Sequence, residues 1–483
     1  MPRPLNVLLI TADHLRYDAL GCHGDPVIQT PNIDGLATRA TDFSNYFVQN
    51  PVCQPSRASL LTGRYPRHHG VRHNGSRLDE NEMTLVEFFH RAGYETAVVG
   101  KHHVAQSRFL AAIDHGAAHH CRRNWAERED DKYVVEKRNE FEEYVHQRGY
   151  EYATGYALPR FRERLGAVPS DLPEDCHIDA YVGMKGIEYL DEVDTENPFF
   201  LWLGFYGPHH PYVPSGRFGH MYQAEEMPPF HKAEEDIARK PVEYRLYQQC
   251  QVHKYRGFTD ASEQTFREMK AAYYGMVSQL DWKLGEVFAC LERRGLADRT
   301  IVVLTSDHGE FLGDHGIPAK APFLLDCMLH VPCLIAVPGK AAQTVDDLVE
   351  EVDLFPTLAE LAGLSAPEWV QGRSQCASVT GNGSWPEQRE SVYAEMVDKK
   401  CIRTDRWKYI HYPAKDRGEL YDLAEDPHEL HNLYHDLPYI VAKMRALFYA
   451  KLDETEDFVH PKYQRFSGHD PDTGDEVQHY HTW

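Results

Sequence analysis

Four short apolar segments each run directly into a cluster of charged residues or histidines, and this pattern constrains the fold more than any other feature. The segments and the residues that follow them are Asn6–Thr11 with Asp13 and His14, Thr96–Val99 with Lys101, His102 and His103, Phe199–Phe205 with His209 and His210, and Thr300–Thr305 with Asp307 and His308. Ligands bind beyond the carboxyl ends of strands in an open parallel sheet, so these clusters are expected to meet. A capping acid or a solvated histidine would explain one such cluster, but not four.

Strands and helices alternate along most of the chain, and this alternation defines the fold class. The further predicted elements are helices at Thr30–Ala40, Thr84–Ala92 and Glu263–Arg294, and extended segments at Thr41–Val48 and His330–Val337. Ala58–Thr62 is expected to continue a helix whose first turn contains Pro55, where the missing N–H of proline needs no partner. The pattern is typical of an α/β protein with a large, mostly parallel sheet covered by helices on both faces.

From about Glu390 the pattern changes to short strands followed by one helix. The predicted strands are Ser391–Ala394, Lys408–Tyr412 and Glu419–Asp422, and the predicted helix is Tyr439–Leu452. This order indicates a smaller C-terminal α+β subdomain, so the predicted domains are residues 1–385 and 386–483. The polar tail after His460 is expected to wrap a surface or a partner subunit of a homo-oligomer.

The charge balance and the apolar runs exclude some partners. The 483 residues carry a formal net charge of −23, whereas a nucleic-acid surface needs a concentrated basic face. An anionic substrate would therefore need a local cluster of cations. No segment approaches the roughly 20 continuous apolar residues that span a bilayer, and the run Val7–Ile10 is too short for a signal-peptide core. We therefore expect no nucleic-acid partner, no membrane partner and a cytoplasmic location. The 10 cysteines include no CxxC pair and do not form the pattern of a disulfide framework.

Two of the strand-end clusters contain the residue types of a divalent-metal site. Asp13 and Asp307 are hard oxygen ligands, and His308 adds nitrogen. His14 either supplies a second nitrogen or packs behind the ligands, and the sequence leaves both readings open. This donor set suits Ca²⁺, Mn²⁺ or a similar ion rather than a thiolate zinc site. Such an ion would polarise an ester oxygen and stabilise an oxyanion nucleophile.

Basic residues beside the same clusters indicate a site for a tetrahedral anion. Arg57 and Lys101, with Lys320 as a further candidate, supply the cations, and the predicted helix N-terminus beside them adds its dipole. His103 and His209 are of the right type to transfer protons near neutral pH.

The segment Cys53-Gln54-Pro55-Ser56-Arg57, continued by Thr62-Gly63-Arg64, resembles the signature of the type I sulfatases, members of the alkaline phosphatase superfamily. Further blocks that resemble this family lie at residues 18–24, 30–34, 100–103, 353–358 and 420–433, so the resemblance extends over nearly the whole chain. In this family a separate maturation enzyme oxidises the signature cysteine to formylglycine, whose hydrated aldehyde is the nucleophile. The resemblance implies an alkaline phosphatase-like fold and hydrolysis of a small-molecule sulfate ester with one divalent metal, Ca²⁺ or Mn²⁺.

The resemblance also implies roles for the residues around the nucleophile. As formylglycine hydrate, Cys53 would attack sulfur and be one ligand of the metal, and Arg57 would hold that group in place. Lys101 would contact both the nucleophile and the sulfate. The second hydroxyl of the hydrate gives the reaction an internal exit, which is the advantage of this form of covalent catalysis.

The remaining implied roles concern proton transfer and anion binding. His103 is similar to the base that releases sulfate and restores the aldehyde. His209 and Lys320 are similar to the pair that stabilises or protonates the leaving oxygen. Asn74 is expected to line the anion pocket, which makes Asn74, Lys101 and His209 the predicted substrate-binding residues.

The sequence departs from the family pattern in the predicted metal site. Many sulfatases carry two adjacent acids after the first strand and Asp-Asn after the later one, whereas this chain has Asp13-His14 and Asp307-His308. The Asp-His form also resembles phosphonate monoester and phosphodiester hydrolases, so such a hydrolase with the same nucleophile is the alternative. The added nitrogen donors favour Mn²⁺ or another transition ion over Ca²⁺. A third hypothesis is a non-catalytic sulfate-binding relative in which Cys53 stays unmodified.

Two charged, irregular stretches at residues 114–175 and 215–262 are predicted as insertions over the sheet. Loops on a rigid scaffold commonly carry specificity, so we expect these stretches to select the organic part of the substrate. The aromatic residues that could stack on a sugar or aryl group are Trp125, Tyr133, Tyr150, Tyr152 and Tyr156.

Overall fold

The computed structural model describes residues 3–117, 138–152, 160–233, 235–254, 261–383, 386–457, 460, 464–469 and 476–481. Parts of both predicted insertions lie outside the described residues, namely 118–137, 153–159, 234 and 255–260. The predicted contacts of Trp125, Tyr133 and Tyr156 with a substrate fall on these undescribed parts. No helix among the described residues is long and apolar enough to cross a membrane.

The described residues of the N-terminal part form ten strands. They are β1 (Asn6–Ala12), β2 (Thr41–Phe43), β3 (Tyr46–Phe47), β4 (Glu95–Gly100), β5 (His115–Ala117), β6 (Phe199–Gly204), β7 (Thr300–Ser306), β8 (Cys333–Ala336), β9 (Gln343–Val345) and β10 (Val349–Glu350). Eight of them form one sheet in the order β5-β4-β6-β1-β7-β8-β2-β9. The strands from β5 to β7 are parallel, β8 is antiparallel to both neighbours, and β9 is parallel to β2. The predicted mostly parallel sheet is confirmed.

Helices cover both faces of this sheet. They are α1 (Pro31–Ala37), α2 (Cys53–Thr62), α3 (Pro66–His69), α4 (Leu85–Arg91), α5 (Ser107–Ala111), α6 (Glu140–Gln147), α7 (Ile178–Glu192), α8 (Asp236–Arg239), α9 (Val242–Lys254), α10 (Glu263–Arg293), α11 (Asp326–Leu329), α12 (Leu354–Leu361) and α13 (Cys376–Thr380). All seven residues of β1 are buried, which explains its continuous apolar sequence. Leu8 and Ile10 pack in one hydrophobic cluster with α7 and α10, and Val7 and Leu9 pack in another with α2 and α4.

The C-terminal part forms the predicted small α+β subdomain. Its elements are β11 (Val392–Glu395), β12 (Lys400–Arg403), β13 (Trp407–His411), β14 (Gly418–Asp422), α14 (Pro438–Glu454), β15 (Gln464–His469) and β16 (Glu476–His481). The strands β11 to β14 form an antiparallel sheet, and β15 and β16 form a hairpin. This subdomain supports the segment that leads into α2, because Glu395 N–H donates to Gln49 O at 2.8 Å and Asn50 Nδ2 donates to Glu395 O at 2.6 Å.

The structure adds elements that the sequence does not predict. The helices α7 and α9 and the strand β12 have no counterpart among the predicted elements. The predicted extended segment Thr41–Val48 is divided into β2 and β3, and the predicted strand at His330–Val337 begins only at Cys333. None of these differences changes the fold class.

Candidate active site

The polar clusters that follow β1, β4, β6 and β7 meet at the carboxyl edge of the large sheet. Backbone hydrogen bonds continue past the strand ends: Lys101 N–H donates to Gly204 O at 2.7 Å, and Asp307 N–H donates to Ala12 O at 3.3 Å. The close approach of β4 and β6 requires glycine, since a Cβ on Gly100 would lie 2.2 Å from Gly204 O and the φ of Gly100 is +92°. The strand ends therefore converge, as the sequence pattern predicts.

Helix α2 places Cys53 in its first turn, beside these strand ends. The residue is 1% exposed, and its sulfur lies 3.2 Å from His308 Nε2 and 3.5 Å from Asp13 Oδ1. The next residue, Gln54, donates its backbone N–H to Asn74 Oδ1 at 3.1 Å, so Asn74 caps the helix. A negative charge at Cys53 is favoured by the dipole of α2.

A compact group of potential metal ligands lies around this sulfur. Four buried side chains place one ligand atom each within 4.8 Å of the others: Asp13, His14, Cys53 and His308. His14 Nε2 lies 3.6 Å from Asp13 Oδ1 and has no hydrogen-bond partner among the described residues. A buried polar atom without a partner is unfavourable unless a ligand binds it. The combination of carboxylate and imidazole donors therefore fits a divalent ion.

Asp307 stands at the border of this group. Its Oδ1 lies 4.0 Å from His308 Nε2 and accepts the His14 backbone N–H at 3.3 Å. Its Oδ2 accepts a hydrogen bond from Arg57 Nε at 2.8 Å. One carboxylate oxygen is thus engaged by Arg57, and the other faces the ligand group.

Two acceptors that the sequence analysis did not identify lie against the Nδ1 atoms of the histidines. Glu310 Oε2 lies 2.7 Å from His14 Nδ1, and Gly309 O lies 2.8 Å from His308 Nδ1. Tyr212 OH donates a hydrogen bond to the same Glu310 oxygen at 2.9 Å. The place of Glu310 in the loop after β7, two residues beyond His308, is the signal that could have found it. Nothing in the sequence points to Tyr212.

Three cations surround the predicted nucleophile. Lys320 Nζ lies 2.9 Å from Cys53 Sγ, Lys101 Nζ pairs with Asp13, and Arg57 Nη1 donates to Lys101 O at 2.6 Å. Burial by itself would raise the pKa of the Cys53 thiol, but Lys101 and Lys320 outweigh it and hold that pKa well below its ordinary value. The site therefore stabilises a negative charge at this position although the net charge of the chain is −23.

His103 lies on the solvent side of the cluster. Its side chain is exposed, and it forms a hydrogen bond with Cys53. Desolvation lowers the pKa of His103, the hydrogen bond to Cys53 opposes this shift, and Lys101 adds to it. Its φ of +62° is in the left-handed region, where strained non-glycine residues cluster at functional positions. A histidine of lowered pKa is neutral near pH 7 and can accept a proton.

His209 is presented by the loop that follows β6. Asp179, in α7, accepts the backbone N–H groups of Tyr206 at 2.7 Å and of Gly207 at 2.9 Å, which fixes this loop. His209 donates its Nδ1 hydrogen to His210 O, so proton exchange falls to Nε2. Asp179 was not identified from the sequence, and it lies in a helix that the sequence does not predict.

Comparison with known proteins gives consistent matches over most of the chain. Residues 5–364 match the sulfatase family, and residues 313–456 match the C-terminal part of N-sulphoglucosamine sulphohydrolase. An arylsulfatase of Clostridium perfringens is 28% identical, covering 90% of this chain and 91% of the relative. Choline-sulfatase of Rhizobium meliloti is 30% identical, covering 89% and 82%. The structure is similar to that of the phosphonate monoester hydrolase of Agrobacterium radiobacter, with a TM-score of 0.78 at 23% identity, covering 99% of this chain and 100% of that one.

The sheet order and the C-terminal subdomain give the chain the same overall fold as that structure. The chain belongs to the sulfatase family and is a sulfuric ester hydrolase. The family predicted from the Cys53–Arg57 segment is thereby confirmed.

Proposed function

We propose that the protein cleaves sulfate esters with a nucleophile made from Cys53 after a formylglycine-generating maturation enzyme has oxidised this residue. The observation that carries the proposal is the position of the Cys53 sulfur, 2.9 Å from Lys320 Nζ and 3.2 Å from His308 Nε2 at the N-terminus of a buried helix. Formylglycine would supply a hydrated aldehyde whose oxygen attacks the sulfate group. Membership of the sulfatase family implies this modification.

The same proposal includes one divalent metal. The residues proposed to hold it are Asp13, His14, Asp307 and His308, together with the modified Cys53. The unpartnered Nε2 of His14 supports this assignment. When bound, the ion would polarise the ester and stabilise negative charge on oxygen. The nitrogen donors favour Mn²⁺ or another transition ion, whereas Ca²⁺ prefers oxygen ligands throughout.

The cations of the site are proposed to bind the sulfate and to fix the nucleophile. Lys101 and Lys320 both approach position 53 and would neutralise the oxygens of the anion. Arg57 is completely buried and anchored on Asp307, so its guanidinium would hold the modified residue 53 rigidly. Asn74, in an exposed loop beside the N-terminus of α2, would line the anion pocket with its amide group.

Two histidines are proposed to move protons during turnover, and one lysine is proposed to stabilise the leaving oxygen. His103, which contacts position 53, would remove the proton that allows sulfate to leave. His209, with its Nδ1 hydrogen engaged by His210 O, would transfer a proton to the leaving alcohol through Nε2. Lys320 would stabilise the negative charge on the same leaving oxygen.

Mass spectrometry of the peptide that contains Cys53, combined with an aryl sulfate assay, tests the proposal. Protein produced together with the maturation enzyme is expected to carry the aldehyde and to cleave the ester. Cys53→Ala is expected to lower kcat/KM by about 10⁴-fold or more. Cys22→Ala, which removes a half-buried free thiol outside the site, is the matched control. Full activity of Cys53→Ala would refute the proposed nucleophile, and an unmodified Cys53 in active protein would refute the modification.

A second candidate function is hydrolysis of phosphonate monoesters or phosphodiesters by the same nucleophile. The observation that favours it is the presence of His14 and His308 in the ligand group, where nitrogen replaces negatively charged or neutral oxygen donors. Comparing kcat/KM for matched sulfate and phosphonate esters separates the two, because this ratio reports differential binding of the transition states. A larger kcat/KM for the phosphonate would make it the principal activity.

A further inference from the structure

Glu310 is a buried carboxylate behind the ligand group, and none of the roles above uses it. Its side chain is completely buried, and its Oε1 accepts the backbone N–H of Phe311 at 2.9 Å. Its Oε2 accepts the Tyr212 hydroxyl at 2.9 Å and lies 2.7 Å from His14 Nδ1. Two definite donors, the Phe311 N–H and the Tyr212 hydroxyl, converge on this carboxyl group, so Glu310 acts as a hydrogen-bond acceptor toward its neighbours.

This arrangement determines which nitrogen of His14 carries the proton. Because Glu310 only accepts, Nδ1 of His14 must donate, and the lone pair is left on Nε2. His308 has the same tautomer for a different reason, since its Nδ1 donates to the backbone carbonyl of Gly309 at 2.8 Å. Both Nε2 atoms lie toward the other members of the ligand group, since His308 Nε2 is 3.2 Å from Cys53 Sγ and His14 Nε2 is 3.6 Å from Asp13 Oδ1. The two imidazoles differ in one respect: a negative charge supports His14, and a neutral carbonyl supports His308.

The backbone conformation of His14 indicates that neighbouring groups impose the orientation of this residue. Its φ of +71° lies in the left-handed region, which is unfavourable for a residue with a Cβ atom. The neighbouring groups hold this conformation, because the His14 N–H donates to Asp307 Oδ1 at 3.3 Å and its carbonyl accepts from Tyr273 OH at 2.7 Å. Glu310 completes this support by fixing the ring.

We propose that Glu310 is a positioning residue for the metal: it holds His14 in the Nδ1–H form, so that Nε2 binds the ion. The inference rests on the proposed metal site. The negative charge of Glu310 makes the imidazole a stronger donor, as carboxylates behind metal-bound histidines do generally. A strong second nitrogen donor is matched to Mn²⁺ and adds little for Ca²⁺, so Glu310 also sets the preference between these ions.

Metal affinities of the full-length protein carrying Glu310→Gln test this role. After chelation, the Kd for Mn²⁺ is measured by electron paramagnetic resonance and the Kd for Ca²⁺ by calorimetry. Glu310→Gln keeps the shape of the side chain and removes its charge, so the Kd for Mn²⁺ is expected to rise about 10- to 100-fold. The Kd for Ca²⁺ is expected to change less than about threefold. Tyr212→Phe, which removes a different hydrogen bond to the same oxygen, is the matched control and is expected to keep both Kd values within about threefold.

The outcomes separate this inference from the proposed function. If the unaltered protein fails to bind Mn²⁺, the proposed metal site is wrong. If it binds Mn²⁺ and Glu310→Gln binds the ion equally well, the positioning role alone is wrong. An equal weakening of Mn²⁺ and Ca²⁺ binding would assign Glu310 a merely structural role and would also overturn the inference.

A measurement on the unaltered protein keeps the inference testable if Glu310→Gln does not fold. In protein labelled with ¹⁵N at histidine and freed of metal, the nitrogen chemical shifts report the tautomer of each ring. Comparison with His14→Gln identifies the signal of His14. The Nδ1–H tautomer is expected at about pH 8, where an unperturbed imidazole is neutral. An Nε2–H tautomer would overturn the proposal.

Discussion

Two clusters of buried charge in this protein differ in how completely their members are paired. Between the large sheet and the C-terminal subdomain, Arg389 forms hydrogen bonds of 2.7 and 2.9 Å to Asp353, and its Nε lies 3.1 Å from Glu350 Oε2. In the active site, by contrast, His14 Nε2 and Arg57 Nη2 are buried without a hydrogen-bond partner among the described residues. Arg389 Nε also makes no hydrogen bond within the described part of the chain, but it lies against the carboxylate of Glu350, so the first cluster is closed by charge pairing. His14 belongs to a group of potential metal ligands, so the second cluster is open to a ligand.

Because both clusters are buried and charged, burial, charge and a shifted pKa do not by themselves mark a functional site. Lys451 and Arg389 hold the pKa of Glu350 below its usual value against the effect of burial. Lys101 acts in the same direction on the pKa of Cys53, also against burial. Among the described residues, the active site is where such shifts coincide with a group of potential metal ligands that includes an unpartnered histidine nitrogen. The closed cluster is therefore expected to govern stability, and the open cluster to govern activity.

Arg389→Met is the strongest test of the closed cluster. It leaves Glu350 and Asp353 buried without this partner, so the free energy of unfolding is expected to fall by about 3–5 kcal/mol. Urea denaturation measures this loss, while kcat/KM of the folded protein is expected to stay within about threefold. Arg406→Met, which removes an exposed arginine paired with Asp422, is the control and is expected to leave the free energy of unfolding nearly unchanged. Comparable losses in both variants would contradict the special role of the closed cluster.

Lys101→Met tests the open cluster in the same way. The lysine is proposed to stabilise charge at the nucleophile and on the sulfate, so kcat/KM for an aryl sulfate is expected to fall about 10²- to 10³-fold. Lys443→Met, at an exposed position of α14, is the control and should retain full activity. If Lys101→Met lost stability but kept kcat/KM within about tenfold, the open cluster would be structural and the comparison would fail.

The parts of the fold that the sequence predicts are those whose pattern is continuous. The strand β1 is buried on both faces and is apolar throughout, and α10 keeps helical periodicity over 31 residues. The helix α7 escapes prediction because its interior contains Gly183 and Gly186, which have low helix propensity. These glycines are needed for packing, since a Cβ at Gly183 would lie 2.2 Å from Lys283 and one at Gly186 would lie 2.8 Å from Leu203. Such a tertiary requirement is not visible in a local pattern.

The same limit applies to the candidate site. Cys53 and the residues at the strand ends could be predicted because a local motif or a strand end marks each of them. Asn74 lies beside the motif only in space, and its prediction depended on the family resemblance. The contact of Glu310 with Tyr212 joins residues 98 positions apart, so only the folded chain reveals it. For the same reason the sequence could not decide whether His14 faces the ligand group.

A third cluster of buried charge lies beside α11 and is expected to make the stability of the protein depend on pH. Lys408 Nζ lies 2.6 Å from Asp326 Oδ1 and 2.7 Å from Glu429 Oε1. Burial raises the pKa of Glu429 to about 7, although Lys408 opposes the shift. The folded state therefore holds this proton more tightly than the unfolded state, in which the pKa is about 4.3. The proton on Glu429 stabilises the folded state fully below about pH 4.3. This contribution, on the order of 3 kcal/mol, is lost as the pH rises to about 7.

Glu429→Gln isolates this effect, because the amide cannot titrate. The free energy of unfolding of the unaltered protein is expected to fall between about pH 5 and pH 7.5 by more than that of Glu429→Gln. Urea denaturation at the two pH values measures the difference. Glu425→Gln, at an exposed position of the same loop, should retain the pH dependence of the unaltered protein. If the free energy of unfolding had the same pH dependence in the unaltered protein, Glu429→Gln and Glu425→Gln, Glu429 would be ionised throughout this range. It would then be paired with Lys408 as completely as the acids of the closed cluster are paired with Arg389.

Asn74 tests the distinction between stability and activity at a single residue, because it is proposed to contribute to both. Its Oδ1 caps α2 by accepting the Gln54 N–H, and its amide is proposed to line the anion pocket. Asn74→Ala loses both functions, so the free energy of unfolding is expected to fall by about 1 kcal/mol. The KM for an aryl sulfate is expected to rise about tenfold, as for loss of one hydrogen bond to a charged group.

Asn74→Asp separates the two functions. The aspartate keeps the acceptor for Gln54 N–H and adds a negative charge at the helix N-terminus, so the free energy of unfolding is expected to stay equal or to rise by up to about 1 kcal/mol. The same charge repels sulfate, so the KM is expected to rise above that of Asn74→Ala. Kinetics and urea denaturation of the two variants together give the answer. Equal KM values for the two variants would mean that residue 74 acts only as a helix cap. The anion would then be bound by Lys101 and Lys320, the two lysines that approach Cys53.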